Sequence, residues 1–178
     1  MYIRKTSKEK ALEKYDKAKK KGIQLIGDKV IRDTLFEHLI QLYGADNEIL
    51  EEVRFPAFTA DVLMFLTGKK KYIVGFEVKS DRDTLKRLET QLREYLKYCN
   101  VVFVVTTLLH YKEVAKLLER AEFANVGLLV YKMTYEGKTL ECAKLATKVD
   151  IKGLSTKWIS KQHQLYRFEY YLKMLWEL

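Results

Sequence analysis

Apolar and polar residues recur along the chain with two different periods, which predict a succession of helices and strands. Residues 28–44 carry an apolar stripe at helical spacing, in a helix that Asp28 caps and Gly44 ends. The stripe consists of Val30, Ile31, Leu35, Leu39 and Leu42. Residues 48–56, EILEEVRFP, alternate loosely between apolar and polar and predict a first strand.

Two apolar runs, residues 60–66 and 72–79, have the length of strands and flank the polar segment TGKKK, so they predict a β-hairpin. A helix over residues 83–98 is expected next, because apolar residues recur there at spacings of three and four. These residues are Leu85, Leu88, Leu92, Tyr95 and Leu96. The helix is expected to pack its stripe on the sheet.

The β-branched run VVFVVT, residues 101–106, predicts an interior strand that is covered on both faces. A helix over residues 111–122 and a strand over residues 126–131 complete a strand, helix, strand unit. Because such a unit is parallel and the hairpin before it is antiparallel, the predicted sheet is mixed. The predicted fold class is therefore α/β with a mixed sheet.

The remaining segments predict a further hairpin and two terminal helices. Residues 134–146 form the hairpin, with Glu136 and Gly137 in its turn. Residues 7–21 predict a weak basic helix, and residues 155–178 predict a long helix with an apolar, partly aromatic stripe. That stripe, at Trp158, Leu165, Phe168, Leu172 and Leu175, indicates a core face or a homodimer interface.

Length and composition indicate a single globular domain over residues 1–178, since the chain is 48% hydrophobic and has one proline. Residues 1–22 are its basic N-terminal segment, residues 28–131 its core, and residues 132–178 its C-terminal hairpin and helix. No apolar run reaches the roughly 18 residues that a membrane span needs, and the first residues are charged. We therefore expect a cytoplasmic protein without a membrane partner.

Positive charge is concentrated near the N-terminus. The net charge is +9, and residues 1–21 hold nine Lys or Arg against three acids. Such a bias favours an anionic partner such as nucleic acid, although a solvated helical segment explains it equally well. The basic runs at Lys19, Lys20 and Lys21 and at Lys69, Lys70 and Lys71 are the candidate contacts to a nucleic-acid backbone. For the second run, a polar turn is the alternative.

Cysteine and histidine offer little chemistry. Cys99 and Cys142 lack metal-binding spacing and are expected to be buried, and the three histidines are scattered over separate segments.

The acidic side chains are better candidates for catalytic chemistry than cysteine or histidine. If the hairpin is symmetric about Lys69, residues whose numbers sum to 138 face each other, which sets Asp61 opposite Glu77. Opposed residues lie about 4.5–5.5 Å apart at Cβ, where like charges are destabilising unless a cation separates them. A divalent cation such as Mg²⁺ suits two carboxylates, water and a phosphate. Lys79 lies on the same face as Glu77 and is either part of this chemistry or simply its ion-pair partner.

Asp61 and the run Glu77-Val78-Lys79 resemble the motif of the PD-(D/E)XK nuclease superfamily, and the order of elements over residues 28–131 resembles its αβββαβ core. The stretch GFEVKSDRDTLKRL, residues 75–88, is similar to a branch of small bacterial and phage members. Ala60 rather than proline precedes Asp61.

The resemblance implies a nuclease that hydrolyses DNA with Mg²⁺ or Mn²⁺. It implies that Asp61, Glu77 and the Val78 carbonyl bind the metal, and that Lys79 assists the attacking water. By the same resemblance, Glu37 on the first helix is a further metal ligand and Gln91 supports the site. Arg87 and Tyr95 lie on the same side of the second helix as Gln91 and are candidate nucleic-acid contacts, with packing as the alternative for Tyr95.

Two other functions fit the sequence. One is a nucleic-acid-binding or assembly module that keeps the fold without turnover. The other is a structural subunit whose terminal helix pairs with itself as a homodimer.

Overall fold

The computed structural model describes residues 25–44, 47–66 and 72–151. The described residues contain three α-helices, two short 3₁₀ turns and six strands. In chain order they are α1 (Asp28–Tyr43), β1 (Glu48–Arg54), β2 (Thr59–Leu66), β3 (Tyr72–Lys79), a 3₁₀ turn (Leu85–Arg87), α2 (Leu88–Tyr98), β4 (Val101–Thr107), α3 (Tyr111–Leu118), a 3₁₀ turn (Ala121–Phe123), β5 (Gly127–Thr134) and β6 (Gly137–Lys144).

The six strands form one mixed sheet in the order β1-β2-β3-β4-β5-β6. β3, β4 and β5 are parallel, with α2 and α3 as crossovers, while the outer pairs are antiparallel. The central strands β3 and β4 are largely apolar because both of their faces are covered, and their polar residues lie at their C-terminal ends. This architecture confirms the expected α/β class with a mixed sheet, and the elements from α1 to β4 follow the expected αβββαβ order.

Helices cover the two faces of the sheet, so the molecule has three layers and two cores. On one face, α1 buries Ile31, Leu35 and Leu39 against β2, β3, β4 and β5. On the other face, α2 and α3 pack on the same strands through residues that include Leu92 and Val114. Because strand side chains alternate between faces, the apolar residues of β2 and β3 divide between the two cores.

Several expected boundaries and environments were wrong. Gly27 is the N-cap of α1 and Asp28 its first residue, which forms an ion pair with Arg32 instead of capping. Leu42 is exposed near the end of the helix, beyond the part that the sheet covers. Cys99 is buried as predicted, but Cys142 is exposed because it lies on the edge strand β6.

The two crossover helices are shorter than predicted. The predicted helix over residues 83–98 begins as a 3₁₀ turn at Leu85, and α3 ends at Leu118 before a second 3₁₀ turn. β5 extends to Thr134 and is itself the first strand of the last hairpin, so Gly137 begins β6.

Other expectations lie outside the described residues. They concern the helices at residues 7–21 and 155–178, the lysine runs at residues 19–21 and 69–71, and a homodimer through the last helix. Among the helices that the structure describes, none has the length and apolarity to cross a bilayer.

Candidate active site

The site forms where the ladder between β2 and β3 ends. The observed pairs run from Leu66 with Tyr72 to Val62 with Phe76, so their numbers sum to 138 as predicted. Asp61 and Glu77 are the next residues on each strand, immediately beyond the last pair. The sheet geometry therefore brings the two acids to the same end of the hairpin.

Tyr95 of α2 bridges the two strands where the ladder has ended. Its hydroxyl oxygen accepts a hydrogen bond from Asp61 N at 2.8 Å and donates one to the Phe76 carbonyl oxygen at 3.1 Å. Burial raises the pKa of Tyr95, so the phenol stays protonated and keeps its donor. One phenolic oxygen thus takes the place of a direct strand-to-strand bond beside the two acids.

Gly75 allows Tyr95 to approach this closely. A Cβ atom at Gly75 would lie 2.6 Å from Cδ1 of Tyr95 and 2.8 Å from Sγ of Cys99, both closer than real contacts allow. Glycine in the middle of a strand otherwise weakens it, and here its missing side chain is the space that the tyrosine ring fills.

Glu77 and Lys79 form a buried ion pair. Lys79 Nζ donates to Glu77 Oε1, and it also donates to Gln91 Oε1 of α2 at 3.1 Å. The glutamate side chain is 0% exposed and the lysine side chain 7%. The other carboxylate oxygen, Glu77 Oε2, is buried without a hydrogen-bond partner in the described residues. A buried carboxylate oxygen without a partner is costly, and it marks a place where a ligand would be stabilising.

Burial, and next the negative charge of Asp61, raise the pKa of Glu77 from an ordinary 4.5 to about 7, against the opposing effect of Lys79. Burial also raises the pKa of Asp61, while the N–H of Val78 and the charges of Lys79 and Arg32 oppose that change. The two carboxylates therefore disfavour each other's ionisation, as like charges in one site do.

Asp61 is fixed by contacts from both sides of the sheet. Its Oδ2 accepts a hydrogen bond from Val78 N at 2.8 Å, and its Oδ1 lies 3.7 Å from Nη2 of Arg32 on α1. The backbone of Val78 is thereby placed next to the carboxylate. The Asp61 carboxylate lies between β3 and α1 at the end of the sheet.

The loop after β3 is held by its own polar residues. Asp83 accepts hydrogen bonds from both the N–H and the hydroxyl of Ser80, at 2.8 and 2.6 Å. Asp81 Oδ2 accepts a hydrogen bond from Ile26 N at 2.8 Å, and its Oδ1 accepts one from Thr107. These contacts tie the segment before α1 and the end of β4 to the strand end that carries Lys79.

Of the residues predicted for the site, the structure brings together Asp61, Glu77, the Val78 backbone, Lys79 and Gln91. It does not bring Glu37 to them, because Glu37 is exposed on α1 and forms no side-chain hydrogen bond or ion pair with the described residues.

The two nucleic-acid contacts expected on α2 have different environments. Arg87 is exposed in the turn before α2, so it remains a candidate contact. Tyr95 is 0% exposed, so the expected contact of Tyr95 with nucleic acid was wrong. The packing alternative is correct, and Tyr95 also bridges the two strands. Sequence analysis missed Arg32, although its position directly after the core residue Ile31 places it beside the sheet.

The donor set fits a small divalent cation. Two carboxylates face one site, one with a buried oxygen that has no partner, and a strand carbonyl at Val78 is adjacent. Oxygen ligands of this kind, with water and a phosphate completing the shell, are typical for Mg²⁺. No group of three or more His, Cys, Asp or Glu side chains suited to a metal occurs in residues 25–44, 47–66 and 72–151. Any ion bound here would therefore keep several ligands from water or substrate.

Comparison with known proteins places the chain in a family. The model of the family described as Bacteriophage P4 protein cII matches residues 24–158, which span every described element from α1 to β6. The chain belongs to the Bacteriophage P4 protein cII family. No curated protein matches it.

A solved structure similar to this member of the P4 cII family is that of a protein of unknown function from Silicibacter pomeroyi. The TM-score is 0.54 at 14% sequence identity, over 81% of this chain and 86% of the other. At this identity, the likeness supports the fold alone.

Proposed function

We propose that this P4 cII family protein is a divalent-metal-dependent nuclease that hydrolyses phosphodiester bonds in DNA. One observation carries the proposal: the fully buried Glu77 carboxylate has an oxygen without a partner beside a second acid, Asp61. Two carboxylates in a buried site are stabilised by a cation that lies between them, and the single ammonium of Lys79 leaves the second Glu77 oxygen unsatisfied.

Asp61, Glu77 and the Val78 carbonyl would hold Mg²⁺ or Mn²⁺. A divalent ion bound there would supply Lewis-acid activation of the attacking water and would neutralise charge on the phosphate. The role of Asp61 depends on its fixed position, which the hydrogen bonds of its carboxylate to Val78 N and of its own N–H to Tyr95 provide.

Lys79 would orient the water or the phosphate. An ammonium group has three donors, and Glu77 and Gln91 accept two of them, which leaves one for a ligand. Gln91 would act through Lys79, because its carbonyl oxygen fixes the ammonium above the strand end. The hydroxyl of Thr106 donates to the Lys79 carbonyl oxygen at 3.1 Å and holds the backbone of that strand end.

DNA as the substrate is supported by the resemblance of the Asp61 and Glu77-Val78-Lys79 motif and by the net charge of +9. Basic residues that contact phosphates release condensed counterions, so binding should weaken steeply as salt rises. Arg87 and the lysine runs at residues 19–21 and 69–71 are the proposed contacts to the backbone.

The test is a cleavage assay on plasmid and oligonucleotide DNA with Mg²⁺ or Mn²⁺ titrated from zero. Wild type should cut only with the metal, and Glu77→Ala and Lys79→Ala should each lose at least about a hundredfold in rate, the scale of a lost electrostatic or proton-transfer group. Lys132→Ala is the matched control, because its ion pair with Glu141 lies on the exposed surface. It should cut like wild type.

Two outcomes contradict the proposal. If wild type binds DNA but cuts no substrate with either metal, the protein is a binding or assembly module. If Glu77→Ala and Lys79→Ala cut as fast as wild type, the chemistry takes place elsewhere in the chain.

A further inference from the structure

Arg32 of α1 is a largely buried cation that pairs with four acids but makes no well-aligned hydrogen bond to them through its Nε. Its side chain is 13% exposed, and its Nε lies 2.9 Å from Asp28 Oδ2 without the alignment of a hydrogen bond. Its other acidic neighbours are 3.6 Å (Glu52), 3.7 Å (Asp61) and 4.0 Å (Glu51) away. A guanidinium carries five N–H donors, and these distances exceed those of hydrogen bonds.

Asp61 therefore lies between two groups that are incompletely satisfied. Glu77 Oε2 on one side is a buried acceptor without a donor, and Arg32 Nε on the other side is a buried donor whose nearest acceptor, Asp28 Oδ2, is not aligned with it. A cation bound to Asp61 and Glu77 would satisfy the acceptor, but it would also draw the Asp61 charge away from Arg32 and repel the guanidinium. A ligand that joins a cation to an anion would satisfy both groups.

We propose that Arg32 forms a phosphate subsite, in which its guanidinium binds non-bridging oxygens of the phosphate that is coordinated beside Asp61. This inference rests on the proposed function and adds to it a residue outside the motif. The planar guanidinium matches two phosphate oxygens at once, which a lysine ammonium does not.

Arg32 can be released to a phosphate at little cost. Glu51 and Glu52 have side chains that are 47% and 61% exposed, so water replaces the guanidinium readily at both carboxylates. Asp28 is the nearest acid and lies one helical turn before Arg32 on α1, so it holds Nε of the side chain while Nη2 faces Asp61.

The backbone of β1, the strand next to Asp61, is irregular at the same place. Glu52 has φ of 50°, although it is not glycine, and it interrupts the ladder between the pairs Glu51 with Val62 and Val53 with Ala60. Residues other than glycine rarely adopt this conformation, which is concentrated at functional sites. Glu52 lies beside Arg32, and the contact between them bridges α1 and β1.

Arg32→Gln separates this role from packing through two measurements. The first is Mn²⁺ affinity without DNA, measured by electron paramagnetic resonance. The second is the binding of a labelled DNA hairpin with Ca²⁺, measured by fluorescence anisotropy over a range of salt concentrations. We expect Mn²⁺ affinity to stay equal or rise a few-fold, because a competing cation is gone, while DNA affinity falls about tenfold. The slope of log K against log salt should fall by about 0.7–0.9, the value of one phosphate contact.

Arg93→Gln is the matched control, because Arg93 pairs with Glu89 and Glu122 on the exposed side of α2. It should leave both measurements unchanged. Arg32→Lys keeps the charge without the planar fork, so it should retain the salt slope of wild type with weaker DNA affinity.

The outcomes distinguish the two proposals. Failure of wild type to bind Mn²⁺ overturns the proposed function itself. If wild type binds Mn²⁺ and DNA, and Arg32→Gln keeps the wild-type DNA affinity and salt slope, the phosphate subsite alone is overturned. Equal losses of Mn²⁺ and DNA affinity in both Arg32→Gln and Arg32→Lys overturn it as well, because they indicate a packing role.

Discussion

Two lysine–glutamate ion pairs on the same sheet differ in burial and in the strand pairing around them. Lys79 and Glu77 on β3 have side chains that are 7% and 0% exposed, whereas Lys132 on β5 and Glu141 on β6 are 33% and 58% exposed. Around the exposed pair, the ladder continues to the turn, where Thr134 pairs with Gly137. Beside the buried pair, the ladder between β2 and β3 has already ended.

The difference shows which pair stabilises the fold. An exposed pair contributes about 0.2–1 kcal/mol, which fits a role in solvation of the sheet edge. Burying an ion pair costs desolvation free energy that the attraction between the charges only about offsets. Apolar residues of similar size would therefore often give a protein that is equally or more stable. Lys79 and Glu77 are thus explained by the chemistry of the site more readily than by stability.

Removing one member of each pair should give the largest contrast. Lys79→Met should lower the free energy of unfolding by about 3–5 kcal/mol at pH 8 without metal, because it leaves Glu77 buried without its ion-pair partner. Lys132→Met should lower it by less than about 1 kcal/mol. Urea unfolding followed by circular dichroism measures both changes.

The double variant Glu77→Leu with Lys79→Met sharpens this result. Since it removes both charges, it should recover most of the stability that Lys79→Met loses, while it remains unable to cut DNA. If the double variant were no more stable than Lys79→Met, the buried pair would be a net contributor to the fold, and the contrast with the exposed pair would disappear.

Of the two lysine–glutamate pairs, the buried pair should make stability depend on pH. The raised pKa of Glu77, about 7 against an ordinary 4.5, means that the folded protein keeps a proton that the unfolded chain has released. The contribution of Glu77 to stability is therefore fully present below about pH 4.5 and is lost as the pH rises through 7, by up to about 3 kcal/mol. Unfolding of the metal-free protein at intervals between pH 4.5 and 8 tests this dependence.

Glu77→Gln is the control for the pH series, because it cannot titrate. It should lack most of the decrease in stability between pH 4.5 and 8 that wild type shows, since only the raised pKa of Asp61 remains at the site. An equal decrease in Glu77→Gln would assign the dependence to another group, and Glu141→Gln should leave the wild-type dependence unchanged.

The sequence predicted the hairpin register because a strand is regular: side chains alternate, and a short turn fixes which residues face each other. The sum of 138 therefore held from Leu66 to Val62. The regularity ends at Asp61, where a side chain from a distant helix enters the ladder. Period and spacing describe only backbone pairing, so they did not predict that Tyr95 would bridge the strands.

The prediction that Glu37 joins the metal site was wrong, and the helical period of the sequence explains why. Successive helix residues are rotated by about 100°, so Glu37 lies about 200° from Leu35 and faces away from the sheet. Arg32, one residue after the buried Ile31, flanks the core stripe instead. The resemblance to the nuclease superfamily suggested an acid on this helix. The helical phase of the apolar stripe on α1, however, decides which residue reaches Asp61.

Gly75→Ala should destabilise the protein by about 1–3 kcal/mol, because its Cβ would lie 2.6 Å from Tyr95 and 2.8 Å from Cys99. Gly127→Ala is a matched change away from the site, where the Cβ would meet Phe103 at 2.4 Å and the Ala146 backbone at 2.8 Å. Both variants should lose stability in urea, but only Gly75→Ala should also weaken Mn²⁺ binding. If Gly75→Ala bound Mn²⁺ as tightly as Gly127→Ala and wild type, Gly75 would not contribute to the geometry of the site.

Tyr95→Phe is the smallest change that tests the bridge between the strands. Loss of the hydroxyl leaves Asp61 N and the Phe76 carbonyl without their partner, at a cost of about 1 kcal/mol if the strands partly close and pair directly. Closure would move the Asp61 and Glu77 carboxylates together, so Mn²⁺ affinity should fall several-fold. Tyr98→Phe on the same helix is the control, because in the described residues the Tyr98 ring packs on Phe55 and its hydroxyl forms no hydrogen bond. If both variants bound Mn²⁺ like wild type, the phenolic oxygen would only fill space, and the separation of the two acids would depend on the strands themselves.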